Sequence, residues 1–200
     1  MSHPQFSILI PAAGASERLG QAKQLVEYRG KSLIQNAVTS AFSINPGEVI
    51  VVTGANAEAV MNAVHQPSVR WVNNPQWRTG MGKSIALGAA SISPESSGLM
   101  IFLCDQWRIQ PQDLRKLAET WRSNPGRIAC AETQGRYMPP VIFPSACFNQ
   151  LQGLEGDQGA RNLLKIHPQL VTPVPIENAA FDLDTHSQLD QLIFCPDNKK

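Results

Sequence analysis

The sequence predicts an α/β protein of three layers, with a mostly parallel central sheet and helices on both faces. Three observations point there. Short β-branched runs alternate with longer stretches of helical periodicity along the 200 residues. Several of those runs, such as EVIVVT at 48–53 and GLMIFLC at 98–104, read as buried strands. Turn or polar residues follow the strands: Pro11, Gly54, Asn73 and Asp105. A βαβα order with right-handed crossovers brings such strand ends to one edge of the sheet. Ligands bind beyond that edge in open sheets of this kind.

Taken in order, FSILI at 6–10 is long enough for one buried strand. Residues 32–42 place Leu33, Ile34, Ala37, Val38 and Ala41 at helical spacing, and Pro46-Gly47 breaks the helix. The strand at 48–53 ends at Gly54. A helix is expected over 57–64 and a brief strand over 69–72, closed by Asn73-Asn74-Pro75. Gly80-Met81-Gly82 opens a helix running to Ser91. Ser84 falls in its first turn, where free N–H groups and the helix dipole favour a negative ligand. The most apolar strand, 98–104, ends at Asp105. A helix follows over 111–121, with Pro111 near its start, where proline is tolerated.

Strands are expected at 127–132 and 140–143, the prolines of the latter suggesting an edge or a bulge. Helices at 146–151 and 160–166 flank the glycine-rich 153–159. A strand at 170–174, a short one at 181–183 and a helix at 186–194 close the chain. No linker, repeat or low-complexity stretch interrupts it, so residues 1–200 are expected to form one domain, with 196–200 a frayed tail.

Composition excludes several classes. At 42% hydrophobic and 16% charged, the chain can bury a full core. Seventeen Lys and Arg against sixteen Asp and Glu, net +1, give no sign of a nucleic-acid or membrane surface. Cys104, Cys130, Cys147 and Cys195 are scattered with no C-x-x-C pair, so neither a zinc knuckle nor a disulfide framework is expected. The apolar runs are too short to span a bilayer. With no signal-peptide pattern at the start, a cytoplasmic location is the expectation.

The chemistry centres on residues 6–23, FSILIPAAGASERLGQAK. A strand that breaks into Ala12, Ala13, Gly14, Ala15 and Ser16 leaves backbone N–H groups open to an anion. Arg18 and Lys23 supply positive charge beside them. Spacing excludes two familiar alternatives. Between Gly14 and Gly20 lies one residue too many for a P-loop, and Gln21 stands where its lysine belongs. Gly80-Met81-Gly82 would need a third glycine at Ile85 to make the dinucleotide fingerprint. An ordinary strand-to-helix turn with surface charges remains the competing reading at this point.

PAAGASERLGQAKQL resembles the signature P-A-A-G-x-S-x-R-x-G-x-x-K-x-L of small nucleotidyltransferases related to molybdopterin guanylyltransferase. It is similar in particular to the molybdenum-cofactor cytidylyltransferases. The resemblance returns at GMGKSIALG (80–88), LCDQ (103–106), PVIFP (140–144), GDQGARNLL (156–164) and DLDT (182–185), in the family's order. It implies a Rossmann-like nucleotidyltransferase fold. It also implies Mg²⁺-dependent transfer of CMP from CTP to the phosphate of molybdopterin or its metal-loaded form. Transfer of another nucleotide, or to another phosphorylated small molecule, stays open. So does a non-catalytic role in maturing a molybdoenzyme, whose recipient protein or chaperone would be a partner.

Nucleotidyl transfer needs the leaving pyrophosphate neutralised, a metal on the phosphates and the attacking phosphate held in line. It needs no covalent protein nucleophile. Arg18, a planar fork, suits the β- and γ-phosphates, and Lys23 the α-phosphate. Replacing either is expected to leave folding stability nearly unchanged, because the loop carries few bulky apolar residues. Asp105 at the end of a buried strand suits Mg²⁺, which takes one or two carboxylates plus phosphates; a helix cap or salt bridge is its structural rival. Asp182 and Asp184 alternate in the expected strand, so one of them is available to complete the metal site. The resemblance favours Asp184, while capping of the last helix competes.

For the nucleotide, Pro11, Ala12, Ala13 and Gly14 offer backbone groups to the base, and the resemblance associates this alanine-alanine version with cytosine. Ser16, Thr53, Gly54, Asn74, Gly80, Met81, Gly82 and Ser84 complete the expected nucleotide contacts. Gln106 and Arg161 are expected at the acceptor, with Arg161 alternatively pinning its loop through Asp157. Two departures from the family pattern fall on the acceptor side: Trp107 stands in place of a proline, and Met138-Pro139 in place of glycine-histidine.

Overall fold

The computed structural model describes residues 4–157 and 159–195. Its strands are β1 (Phe6–Pro11), β2 (Glu27–Tyr28), β3 (Lys31–Ser32), β4 (Glu48–Thr53), β5 (Val69–Asn73), β6 (Gly98–Ile101), β7 (Ile128–Thr133), β8 (Arg136–Pro144) and β9 (Val171–Pro175). Its α-helices are α1 (Leu33–Phe42), α2 (Ala57–Asn62), α3 (Met81–Ala90), α4 (Pro111–Ser123), α5 (Phe148–Gln152), α6 (Arg161–Ile166) and α7 (His186–Ile193). Seven strands make one sheet in the order β5-β4-β1-β6-β8-β7-β9. All its pairings are parallel except those of β8, which runs against both neighbours.

β1 organises the sheet because its side chains are apolar toward both faces. Phe6, Ile8 and Ile10 join α1 and α4 residues such as Ile34, Val38, Leu114 and Trp121 in one core. Leu9 turns the other way, toward Ile85 and Ala89 of α3 and Leu163 of α6. Ile8, Leu9 and Ile10 are fully buried, and each contributes about 1.5–3 kcal/mol through that burial. Neighbours β4 and β5 lie on one side of β1, β6 on the other. The strand order therefore reverses at β1, and a crevice opens beyond its end.

Several expectations are corrected here. The expected strand at 98–104 pairs only to Ile101. There Ile101 faces Val141 of β8, and the next residues of β8 in that direction are Pro140 and Pro139. Proline has no N–H to offer a ladder, so the chain peels away. β8 itself is a central strand, not an edge. The register steps from Cys130 opposite Val141 to Ala131 opposite Met138, so Pro139 and Pro140 fall in a bulge, as one of the two sequence alternatives had it. The expected strand at 181–183 forms no regular element. A small antiparallel pair, β2 with β3, has no counterpart in the sequence reading. The expected tail at 196–200 lies outside the described residues.

Candidate active site

Beyond the end of β1 lies a cavity of ≈ 560 Å³. The loop after β1 forms one wall with Pro11, Ala13, Gly14, Ser16 and Arg18. Its shape is held from behind by Gln24, whose buried amide donates to the carbonyls of Ala12 (3.2 Å) and Gly14 (2.9 Å). The backbone amide of Lys23 donates to Ser16 Oγ at 3.2 Å, closing the loop on itself. Ser16 has positive φ, 58°, an uncommon conformation for a residue with a β-carbon. Ala13, Gly14, Ala15 and Ser16 of this braced loop line the cavity in sequence.

Lys23 is shared by two carboxylates. Its Nζ donates to Asp105 Oδ2 and, at 2.9 Å, to Asp184 Oδ1. Arg18 stands 3.9 Å from Asp184 Oδ2, with its own side chain 80% exposed. Burial alone would pull the Lys23 pKa down, but Asp105 and then Asp184 outweigh it and hold the ammonium above the ordinary lysine range. Burial likewise acts to raise Asp184, yet the Lys23 hydrogen bond and charge, with Arg18 behind them, hold it below the ordinary carboxylate range. The shared ion pair changes the expectation for Lys23: its removal would leave two facing carboxylates without their cation, so it is not neutral to folding.

One oxygen of the pair is unspent. Asp105 Oδ1 is buried without a hydrogen-bond partner, and an orphaned carboxylate oxygen is a ready ligand for a hard cation. Among the described residues, no group of three or more His, Cys, Asp or Glu forms a self-sufficient metal cage. The donor set therefore fits an ion that takes its remaining ligands from phosphate and water. Cys104 also borders the cavity, but burial, followed by the charge of Asp105, pushes its thiol up to about 12. It stays protonated at neutral pH and is a poor nucleophile.

The opposite wall comes from the start of α3 and the loop after α5, with Gly80, Met81, Ser84 and Asp157. Gly80 has φ 115°, and a β-carbon there would lie 2.4 Å from the Gly156 carbonyl group. The Gly82 amide donates to that same Gly156 oxygen at 2.8 Å. Only glycine lets the two segments approach this closely. Ser84 is oriented by Asn74, whose fully buried amide donates to its hydroxyl at 2.9 Å. Asn74 Oδ1 in turn accepts from the Gln76 amide. Asn74 thus acts from behind the wall.

Thr53 is buried at the end of β4. Gly54 makes room for the loop: a β-carbon there would meet the Ala13 carbonyl oxygen at 2.6 Å and Trp77 Cβ at 2.7 Å. Ala12, Thr53, Gly54, Asn74 and Gly82 thus shape the cavity without lining it.

The two residues expected at the acceptor do not line this cavity. Gln106 spends its amide on the carbonyls of Pro139 (2.6 Å) and Ala179 (3.0 Å). Arg161 is exposed at the start of α6, away from the cavity lining, and no ion pair joins it to Asp157 among the described residues. Trp107 is buried against Tyr28 and Phe181, so the family departure there serves packing. Asp182 and Asp184 turn to different partners. Asp182 Oδ1 accepts from Gln188 of α7 at 3.0 Å, while Asp184 faces Lys23. Thr185, with Gln188, makes the capping box of α7.

Arg78, its guanidinium 4.2 Å from the Trp77 indole centroid, lines the cavity without having been singled out in the sequence, as does Glu17; Trp77 and Asp157 line it too. The available signal for Arg78 was its place two residues before the glycine-methionine-glycine turn.

Residues 8–172 match the MobA-like NTP transferase domain. Over 201 aligned residues the chain is 31% identical to "nicotine blue oxidoreductase" of Paenarthrobacter nicotinovorans, covering 95% of this chain and 97% of that one. It is also 31% identical to the purine catabolism protein PucB of Bacillus subtilis (strain 168), covering 82% and 83%. Among solved structures, Rv0371c of Mycobacterium tuberculosis H37Rv superposes with a TM-score of 0.83 at 24% identity, over 96% of this chain and 99% of that one. A complex of Rv0371c with manganese gives 0.81 at 22% identity, with the same coverage. At these identities the structural likeness speaks for the fold: an α/β sheet, mostly parallel, flanked by helices. The matched span takes in β1, the loop over 11–23, α3 and Asp105, and the chain belongs to the family of MobA-like NTP transferase domains.

Proposed function

We propose that this protein transfers CMP from CTP to the phosphate of molybdopterin or its metal-loaded form, with Mg²⁺, releasing pyrophosphate. The observation that carries the reading is the convergence of Arg18, Lys23, Asp105 and Asp184 on one cavity beside an open backbone loop. An oxygen of the acceptor phosphate attacks the α-phosphorus of CTP. The new P–O–P linkage forms as the bond to the β-phosphate's bridging oxygen breaks.

Arg18 faces the leaving pyrophosphate, and Lys23 the α-phosphate. Asp105 and Asp184 would hold Mg²⁺, which supplies charge neutralisation on the phosphates when bound. The alanine-alanine loop at 12–13 supports cytosine over guanine, by the resemblance on which that reading rests. Action as one domain over 1–200, in the cytoplasm, belongs to the same proposal. Among the described residues no helix is long and apolar enough to cross a membrane.

Transfer to a different phosphorylated small molecule is the second reading, favoured by the displacement of Gln106 and Arg161 from the cavity. The name of the Paenarthrobacter relative adds an oxidoreductase alternative, against which stands the missing dinucleotide fingerprint. The test is pyrophosphate release with CTP, GTP, ATP and UTP, each with Mg²⁺ and molybdopterin, beside thermal-shift titrations of the nucleotides. CTP should bind more tightly than GTP and release pyrophosphate only when acceptor is present. Tighter GTP binding overturns the cytidylyl assignment. No release from any nucleotide, with redox turnover of a dye instead, overturns nucleotidyl transfer.

A further inference from the structure

Asp105 and Asp184 come from distant parts of the chain, and Lys23 touches both. Something must hold the two segments at that separation when Lys23 turns to a phosphate. Three consecutive residues after Asp105 reach the segment that leads to Asp184. Gln106 donates to the Ala179 carbonyl at 3.0 Å. Trp107, 6% exposed, meets the Phe181 ring edge-on, centroids 6.2 Å apart. The guanidinium carbon of Arg108 lies 4.7 Å from the Trp107 ring centroid and 3.9 Å from that of Phe181. Arg108 has no carboxylate partner among the described residues. Its described use is to bind two faces of aromatic carbon, one on each segment, by cation–π attraction.

The sequence gives this clamp a purpose. The resembling family carries proline after the aspartate–glutamine pair, and proline fixes its own φ. Trp107 lacks that restraint, so the loop after Asp105 must be held by its contacts.

We propose that Arg108 is a positioning residue, which by bridging Trp107 and Phe181 sets the spacing of Asp105 and Asp184 and so the affinity of the pair for a divalent cation. The inference rests on the paired-carboxylate reading of the site. Residues that orient metal ligands typically change affinity by about 10–100-fold when lost, and Arg108 is expected in the lower half of that range.

The test is Mn²⁺ binding to the full-length protein, read as loss of the free-ion signal in electron paramagnetic resonance, with melting temperature measured alongside. Arg108→Ala should weaken Mn²⁺ binding about tenfold while melting close to the unaltered protein. Arg108→Lys, which keeps the charge but not the plane, should recover part of the loss. Phe181→Leu, which removes the ring but keeps apolar bulk, should weaken binding in the same direction, and it decides the matter if Arg108→Ala does not fold. Unchanged Mn²⁺ affinity in the folded variants overturns the clamp and leaves the metal reading standing. No Mn²⁺ binding by the unaltered protein, either alone or with CTP present to supply phosphate ligands, removes the paired-carboxylate reading itself, and the clamp with it.

Discussion

The two flanks of the cavity are built by opposite means. On the β1 and β4 side, a loop leaves a central parallel strand and presents its backbone and cations directly to the space, braced by Gln24 from behind. On the β6 and β8 side, the chain turns away from the ladder, and the residues after Asp105 go into holding the fold. The carboxylates of Asp105 and Asp184 come forward there, beside Leu103 and Cys104. One flank turns its polar groups to the cavity, the other to the fold. Substitutions should therefore separate by flank.

The largest effect is expected where the architectural flank reaches the chemistry. Asp105→Asn keeps the shape and an acceptor for Lys23 but removes the charge. Turnover in the pyrophosphate assay should fall by about a hundredfold or more. Normal turnover at low Mg²⁺ would take Asp105 out of the metal site.

Lys23→Met strikes the junction of the two flanks. It should lower turnover and reverse the acid limb of stability. In the unaltered protein Asp184 titrates below its unfolded value of about 3.9. Its stabilising contribution is present above that value and lost as pH falls through the folded one. Without the cation, burial of Asp184 is opposed by Arg18 alone and raises its folded value above the unfolded one. Acidification from neutrality toward pH about 4 should then raise the melting temperature of Lys23→Met. A variant that melts with the same pH profile as the unaltered protein would show that the ion pair does not set it.

Arg18→Ala, on the exposed side of the loop, should weaken CTP binding by about tenfold and leave the melting temperature unchanged. A lowered melting temperature without lost affinity would make Arg18 structural. The smallest effect is expected at Arg161: with its side chain off the cavity, Arg161→Ala should change the KM for the acceptor by less than about twofold. A tenfold rise in that KM would bring Arg161 back to the acceptor.

The same division explains what the sequence could reveal. β1 and β4 and their helices were legible because a parallel strand buried on both faces is a continuous apolar run that stops where its ladder stops. The loop over 11–23 was legible because its small residues and cations act where they stand in the chain. The mixed half was harder to read, because its register depends on pairing between distant segments. The prolines themselves suggest an edge or a bulge, but nothing local says that the bulge lies opposite Cys130 and Ala131, or that β6 loses its neighbour at Ile101. The β2–β3 turn was hidden by its residues. Arg29 and Gly30 both take positive φ, a turn usually signalled by Asn-Gly or Asp-Gly. Gln106 and Arg161 fall outside the cavity lining, because a motif fixes which residues lie near a site, but not which way an amide or guanidinium turns.

The contact between Gly80 and Gly156 bears on how this protein can be re-engineered. A loop transplanted from a relative to change the acceptor would arrive with its own carbonyl where Gly156 now receives the Gly82 amide. Gly80 leaves no clearance to absorb a misfit. The loop and the first turn of α3 therefore form one cassette, and exchanging either alone should misalign Ser84 on the cavity wall. A designer seeking a new acceptor would do better to move both segments together.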